Sequence, residues 1–326
     1  MRLPASHLLI CFKLACFVLL SCITSQTIAQ NYPKKTIVFV VPFGPGGSGD
    51  LMARTFAQYL EANLKQTVIV DNKPGADGMV GTEFVKNATP DGYTLLLTTN
   101  TTMAANAVFY KKISYDPLKD FEHIGLFGTA ASVALVPKDS PLNTIADLVA
   151  ITKANPDKYF YGHYNSASRM TVEMLKTRTG AKITGIPYKA VGSALQDFYG
   201  NQTQVLFIEY PPAKAQIAGG KVKALGVTGP VRFREWLNVP AINETYPGYE
   251  LSFYLGLGAP AGVPADVLQI ITSQLETALK DPTFIAKVNN LELDPGKLNR
   301  DQYQKFVRSE KERWAKIVPE AGIQPE

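Results

Sequence analysis

Val40-Val41-Pro42-Phe43-Gly44-Pro45-Gly46-Gly47-Ser48-Gly49-Asp50 is the stretch on which the reading of this chain turns. An apolar β run enters a turn with glycine at 44, 46, 47 and 49, and an amphipathic helix follows through Leu51, Ala53, Phe56, Ala57 and Leu60. With so few side chains in the turn, the unpaired N–H groups of the first helical turn and the positive end of the helix dipole face outward together. Such an end is built to hold an anion.

Three readings of the turn compete: a dinucleotide site, a plain strand–turn–helix corner, and capture of a small anion. Gly44-x-Gly46-x-x-Gly49 matches the dinucleotide fingerprint, and Asp71 closes the run Val68-Ile69-Val70 about twenty residues on, where a ribose-binding acid would stand. Against an NAD-dependent oxidoreductase, Pro45 holds the second fingerprint position and Asp50 would set a carboxylate beside the pyrophosphate. Asp71 also runs straight into the turn-rich segment Asn72–Gly78.

The N-terminus bears on the choice. Arg2 is followed by an apolar run from Leu14 to Ile23, and Thr27-Ile28-Ala29 offers a small-residue cleavage site, so residues 1–29 read as a secretory signal cut after Ala29. Lys13 keeps the uninterrupted apolar stretch below the ~20 residues of a membrane span. Leu19-Leu20-Ser21-Cys22 approximates a lipoprotein box, with Leu20 large for its place, so lipidation at Cys22 is the alternative. All three cysteines (Cys11, Cys16, Cys22) fall in this segment, and cleavage after Ala29 leaves no disulfide, thiol nucleophile or cysteine-ligated metal. An exported chain meets little nicotinamide cofactor. The expected anion is a nutrient, and the expected location is the periplasm.

The composition is that of a large globular protein, 46% hydrophobic and 19% charged. The formal charge of +5, less the two charges of Arg2 and Lys13, is +3, and no long basic run points to nucleic acid. Strand-like and helix-like runs alternate. Thr36–Val41, Thr67–Val70, Tyr93–Thr98 and Ala131–Pro137 are expected strands, with helices over Leu51–Leu64, Gly78–Asn87 and Ala104–Phe109. A second set follows through strands near 159–161, 182–187, 205–208 and 222–227. A last strand is expected at Leu251–Leu257, with closing helices at Ala265–Leu279 and Arg300–Val318. This is α/β order.

Catalytic patterns are weak. Ser48 in Gly46-x-Ser48-x-Asp50 lacks the last glycine of a nucleophile elbow, and only His123, expected at a strand edge, and His163 remain after the signal. No spacing matches a zinc or calcium motif, so neither a metal nor a cofactor is expected.

Several further motifs occur in order: Tyr32-Pro33-x-Lys35, Pro42-Phe43-x-x-Gly46-Gly47-x-x-Asp50, Asn72-Lys73-Pro74-Gly75-Ala76-x-Gly78 and Pro90-Asp91-Gly92-Tyr93-Thr94-Leu95. Ile186-Pro187-Tyr188-Lys189, Gly220–Thr228 and Ala259-Pro260-Ala261-Gly262-Val263-Pro264 complete the set. Over nearly the full length after the signal, the chain resembles the Bug or TctC type of extracytoplasmic solute receptor, which serves tripartite tricarboxylate transporters. The resemblance implies an α/β, two-lobed type II periplasmic-binding-protein fold with a ligand cleft between the lobes. Lobe 1 would comprise residues 30–130 plus 255–326, and lobe 2 residues 131–254. It further implies a monomer without catalytic residues that holds a small organic carboxylate between two helix N-termini, with ordered waters helping, and presents the closed form to membrane subunits of the transporter.

On that basis the first helix end supplies Phe43, Gly44, Gly46, Gly47 and Ser48, with Asn100 flanking the third strand; the second supplies His163, Asn165, Ser166, Ser168 and Arg169. The second loop departs from the family's glycine- and serine-rich pattern at His163, Asn165 and Ala167, and Thr171 stands where a histidine is common. Arg169 can grip a carboxylate with two hydrogen bonds or pair with Glu173 one turn on. Ser48, Ser166 and Ser168 either donate to the ligand or cap their helices. Asp50 is expected to organise its own loop. Glu209 either selects an amine or cation or faces solvent.

Overall fold

The computed structural model describes residues 32–326. The signal, its cut after Ala29 and Cys22 lie outside the described residues. Strand β1 (Ile37–Val41) is almost wholly buried and runs parallel to β2 (Val68–Asn72) on one side and β3 (Thr94–Thr99) on the other. Burial on both faces accounts for the unbroken apolar run of β1. Helices α1 (Ser48–Leu64) and α2 (Met79–Lys86) make the crossovers. After β3 a π turn, Thr101–Ala105, passes into the short α3 (Asn106–Phe109).

Strand β4 (Phe121–Pro137) is the organising element, 17 residues long where the sequence pattern suggested only Ala131–Pro137. Gly125 and Gly128 interrupt its apolar run, and both sit at or beside register shifts against its neighbour. A side chain at Gly128 would collide with the Asp294 carbonyl, its Cβ falling 2.4 Å from that oxygen. Tertiary packing therefore dictated glycines that a local reading takes for a break.

The chain continues through α4 (Ile145–Ala154), β5 (Phe160–His163), α5 (Ser166–Thr179), β6 (Thr184–Pro187), α6 (Val191–Tyr199), β7 (Val205–Glu209), α7 (Tyr210–Ala218) and β8 (Val222–Val227). The short α8 (Ile242–Thr245), β9 (Ser252–Pro260), α9 (Ala265–Ala278), α10 (Pro282–Asn290), β10 (Asp294–Pro295) and α11 (Arg300–Glu320) complete it. The strand order is β2-β1-β3-β9-β4 and then β4-β7-β5-β6, with β8 and β10 also pairing with β4. Residues 121–131 of β4 pair with β9, whereas residues 132–137 pair with β7 or β8. One strand thus belongs to two half-sheets, each with its own apolar clusters.

At the junction Thr228, fully buried, accepts the Ser132 N–H on Oγ1 (2.9 Å) and donates to the Leu251 carbonyl (2.8 Å). Its side chain ties the two crossing segments together. Helix α11 also spans both halves: Tyr303 and Val307 pack with Leu96 and Tyr254, while Trp314 and Val318 join a cluster containing Ala134, Val136 and Tyr161.

His123, expected at a strand edge, is buried within β4 with Nε2 2.8 Å from the Pro117 carbonyl oxygen and Nδ1 unpaired. That carbonyl can only accept, so the proton sits on Nε2, and burial pushes the pKa of the ring below its usual 6.5. Half-buried His163 is shifted the same way, by burial and then by Arg169. A histidine depressed in the fold contributes stability that is complete above its unfolded pKa and is lost as pH falls through 6.5 toward the folded value. Melting temperature should therefore fall between pH 7 and pH 5, with a shallower slope in His123→Gln. An unchanged slope in that variant would remove His123 from the account.

Candidate functional site

Helix α1 starts three residues earlier than its pattern suggested, at Ser48, with Gly47 as an N-cap that has no side-chain hydrogen bond (φ −80°, ψ 170°). Gly46 has φ +88°, a conformation that requires glycine, and Gly49 packs so closely on β3 that a Cβ there would lie 2.6 Å from Leu97 Cδ2. Asp50, 4% exposed, turns back into its own loop. It accepts the Gly46 N–H (3.0 Å), Arg54 Nε (3.1 Å) and Asn72 Nδ2 (3.0 Å), and Asn72 also donates to the Phe43 carbonyl. Burial pushes the Asp50 carboxyl up, but the hydrogen bonds from Arg54, Gly46 and Asn72 outweigh it and hold its pKa below the ordinary value. Asp50 is thus the keystone of the loop.

The N-terminus of α5 is capped differently. Asn165 Oδ1 accepts the Ser168 N–H (2.8 Å); Ser168 Oγ accepts the N–H groups of Tyr164 (3.0 Å) and Asn165 (3.1 Å) and donates to the Asn165 carbonyl (2.9 Å). The Ser168 hydroxyl is therefore consumed in a capping box.

Between these two helix ends lies a cavity of about 570 Å³. Of the residues singled out in the sequence, Phe43, Gly44, Gly47, Ser48, Asn100, Asn165, Ser168 and Glu209 line it. Two of these lining residues, Ser48 (2% exposed) and Asn100 (1%), carry a buried hydroxyl oxygen and amide nitrogen, Oγ and Nδ2, that have no hydrogen-bond partner. Glu209 borders the same space rather than open solvent, with Oε2 enclosed and unpaired. Burial pushes its pKa up, against an opposing pull from its own backbone N–H and the Tyr164 hydroxyl.

Four sequence candidates stand elsewhere. Gly46 is outside the lining because its N–H is committed to Asp50. Ser166 is buried, donating from Oγ to Asp77 Oδ2 (2.5 Å) and lying 2.9 Å from Asn106 Oδ1, so it joins the two half-sheets instead of meeting the cavity. His163 and Arg169 open on a second, more polar hollow of about 370 Å³. There the Arg169 guanidinium is paired with the Glu326 carboxylate, not with Glu173, and stands 5.6 Å from the Phe109 ring centroid. Their position just outside the capped turn, on the far side of Tyr164 and Asn165, puts them behind the cavity wall.

Ser132, Leu251 and Phe253 also line it without having been marked in the sequence, and Tyr188, marked only as part of a motif, lines it too. Ser132, Leu251 and Phe253 lie where the chain crosses between half-sheets, a location with no local motif. Among the described residues no helix is long and apolar enough to cross a membrane, and no cluster of three or more His, Cys, Asp or Glu side chains could hold a metal ion.

Two α/β halves sharing a crossing strand, with a cavity at their junction between two helix N-termini, define a solute-binding receptor of the periplasmic-binding-protein class. The profile of the tripartite tricarboxylate transporter family receptor, TctC, matches residues 52–323. The chain belongs to that family, and it is a receptor rather than an enzyme. Among solved structures it is similar to Rpa4515 of Rhodopseudomonas palustris with adipate (29% identity, 90% of this chain and 100% of that one, TM-score 0.87). It is also similar to the periplasmic binding protein BugD (32%, 90% and 100%, 0.84) and to MatC of Rhodopseudomonas palustris with bound malate (26%, 88% and 100%, 0.82). The dinucleotide reading of Gly44-x-Gly46-x-x-Gly49 falls with this assignment, and Asp50 explains the loop without a nucleotide.

Proposed function

We propose that the protein captures a small organic carboxylate in the 570 Å³ cavity and delivers it, by closure of two lobes, to membrane subunits of a tripartite tricarboxylate-type transporter. The lobes are residues 30–130 plus 255–326 and residues 131–254, and export with cleavage after Ala29 places the mature chain in the periplasm. One observation carries the reading: Ser48 Oγ and Asn100 Nδ2 are buried, unpartnered and beside an uncapped helix N-terminus. Leaving such groups unpaired costs about 1–3 kcal/mol each, a cost that a bound carboxylate removes. A partly buried helix end adds up to ~2 kcal/mol and each hydrogen bond to a charged acceptor ~1.5–3, which with two such bonds reaches the about −8 kcal/mol of micromolar binding at the upper values. The adipate and malate of the two Rhodopseudomonas relatives support the ligand class.

The test is a thermal-shift screen of the processed protein with aliphatic di- and tricarboxylates, aromatic carboxylates, amino acids and NAD. A ligand at a hundred times its dissociation constant stabilises by ~2.7 kcal/mol. Stabilisation by NAD and by no carboxylate would overturn the proposal.

Two serines should separate binding from capping. Ser48→Ala is expected to weaken the carboxylate about five- to fifty-fold, the equivalent of ~1–2 kcal/mol, while the unliganded variant melts no lower than wild type. Ser168→Ala is expected to destabilise the fold by ~1 kcal/mol through loss of the cap while changing affinity less than fivefold. Calorimetric titration and melting of both variants would show the reverse pattern if Ser168 were the ligand's donor.

A further inference from the structure

The cavity has a polarity along its length. Ser48 and Asn100 lie at the level where β3 and β4 pair with Leu255 of β9: Thr99 pairs with Leu255, which also pairs with Gly128, and a Cβ on Gly49 would lie 3.9 Å from Leu255 Cδ2. Glu209 pairs with Ser132, four residues further along β4 from Gly128 and so about 13 Å away at the backbone. Among the described residues lining the cavity the one cation is Lys189, next to Ala190, whose Cβ is 3.6 Å from where a Cβ on Gly44 would stand. The free donors Ser48 and Asn100 and the positive end of the α1 dipole therefore stand at one end of the cavity. Leu251, Phe253 and Leu255 supply apolar wall, and at the other end stands a carboxylate with an unpaired, enclosed oxygen.

The two other acids on the lining are occupied, Asp50 by Gly46, Arg54 and Asn72 and Asp77 by Ser166. Neither Asp77 nor Glu209 has a cation, and of the two only Glu209 keeps a buried oxygen with no hydrogen-bond partner. A second ligand carboxylate beside it would set two like charges together in a low-dielectric space, whereas an ammonium there would complete a desolvated, hydrogen-bonded ion pair.

Resting on the carboxylate reading above, we propose that the preferred ligand is an amino-carboxylate, its carboxylate held by Ser48, Asn100 and the α1 N-terminus and its protonated amine by Glu209 across an apolar spacer. Glu209 is then the residue that sets specificity within a carboxylate site. It also explains why a carboxylate with one buried, unpaired oxygen is retained at this place.

Calorimetric titration at pH 7 of wild type and Glu209→Gln with two matched triplets tests this: butyrate, 4-aminobutyrate and glutarate, and pentanoate, 5-aminopentanoate and adipate. In wild type the amino-carboxylate of at least one triplet should bind ten or more times tighter than its dicarboxylate. In Glu209→Gln that preference should shrink to within threefold, and the apo variant should melt no lower than wild type, since a buried unpaired charge has been removed. Equal or tighter binding of the dicarboxylates by wild type, or a preference that survives in Glu209→Gln, overturns the inference and leaves the carboxylate reading standing. Absence of binding by all six compounds to both proteins overturns the inference, and the carboxylate reading falls with it when the thermal-shift screen also finds no carboxylate ligand.

Discussion

Asp50→Ala should lower the melting temperature by roughly 6–12 °C and weaken ligand binding more than tenfold. The Arg54 partner is half exposed, so the ion pair itself contributes little after solvent screening. The effect comes from the inner side, where Asn72 Nδ2 loses one of its two acceptors and the Gly46 N–H loses its only one. Both are part-buried hydrogen bonds to a charged acceptor, worth about 1.5 kcal/mol each, so the sum is about 3 kcal/mol. For a domain pair of this size that corresponds to the stated shift at 2–4 °C per kcal/mol. The loop would also lose the conformation that turns Ser48 and the α1 N-terminus toward the cavity. Asp50→Asn keeps shape and should behave better at neutral pH, and it carries a second signature. Because the folded pKa of Asp50 lies below its unfolded value, its contribution is present above about pH 4 and is lost as pH falls through the folded value. The acid limb of the stability curve should accordingly be flatter in Asp50→Asn. A melting shift under 2 °C in Asp50→Ala would show that the glycine loop holds its shape without the carboxylate.

Thr228→Val is expected to cost about 2–4 kcal/mol although it replaces one side chain by another of the same shape. The hydroxyl is the sole bridge between the Ser132 N–H and the Leu251 carbonyl, both at the crossing between half-sheets, and valine leaves a buried donor and a buried acceptor unmet. The backbone bonds from Thr228 N–H to Ser132 and from Leu251 N–H to Thr228 remain, so the variant should fold. Equilibrium urea unfolding measures the loss; a change below 0.5 kcal/mol would mean that those backbone bonds alone fix the crossing. Thr228→Ser, which keeps the hydroxyl, should recover most of the stability.

The β1–turn–α1 unit was legible because its physics is local: an apolar run, glycines where positive φ or close approach demands them, and a helical stripe behind. The α5 loop could be located for the same reason, but the orientation of its side chains could not. Ser168 and Ser166 carry the same hydroxyl two residues apart, yet one closes a cap and the other reaches Asp77, 89 residues away in the chain. The partner of Arg169 is Glu326 rather than the helix neighbour Glu173, because Glu173 is already taken by Tyr161 and Lys176. The full length of β4 was hidden by glycines whose reason lies in other elements, Asp294 at Gly128 and Leu275 at Gly125.

The placement of β9 bears on the order in which the chain can fold. It is inserted between β3 and β4, although it comes more than a hundred residues after either. A nascent chain that has not yet delivered residues 252–260 can assemble the half built on residues 132–227, whose strands are close in sequence, but it leaves β3 and the first part of β4 as unpaired edges. Completion of the other half must wait for this late strand and pay the closure of a very long loop. A protein threaded across a membrane before it folds would benefit from that delay, since half of the molecule stays open until nearly the whole chain has passed.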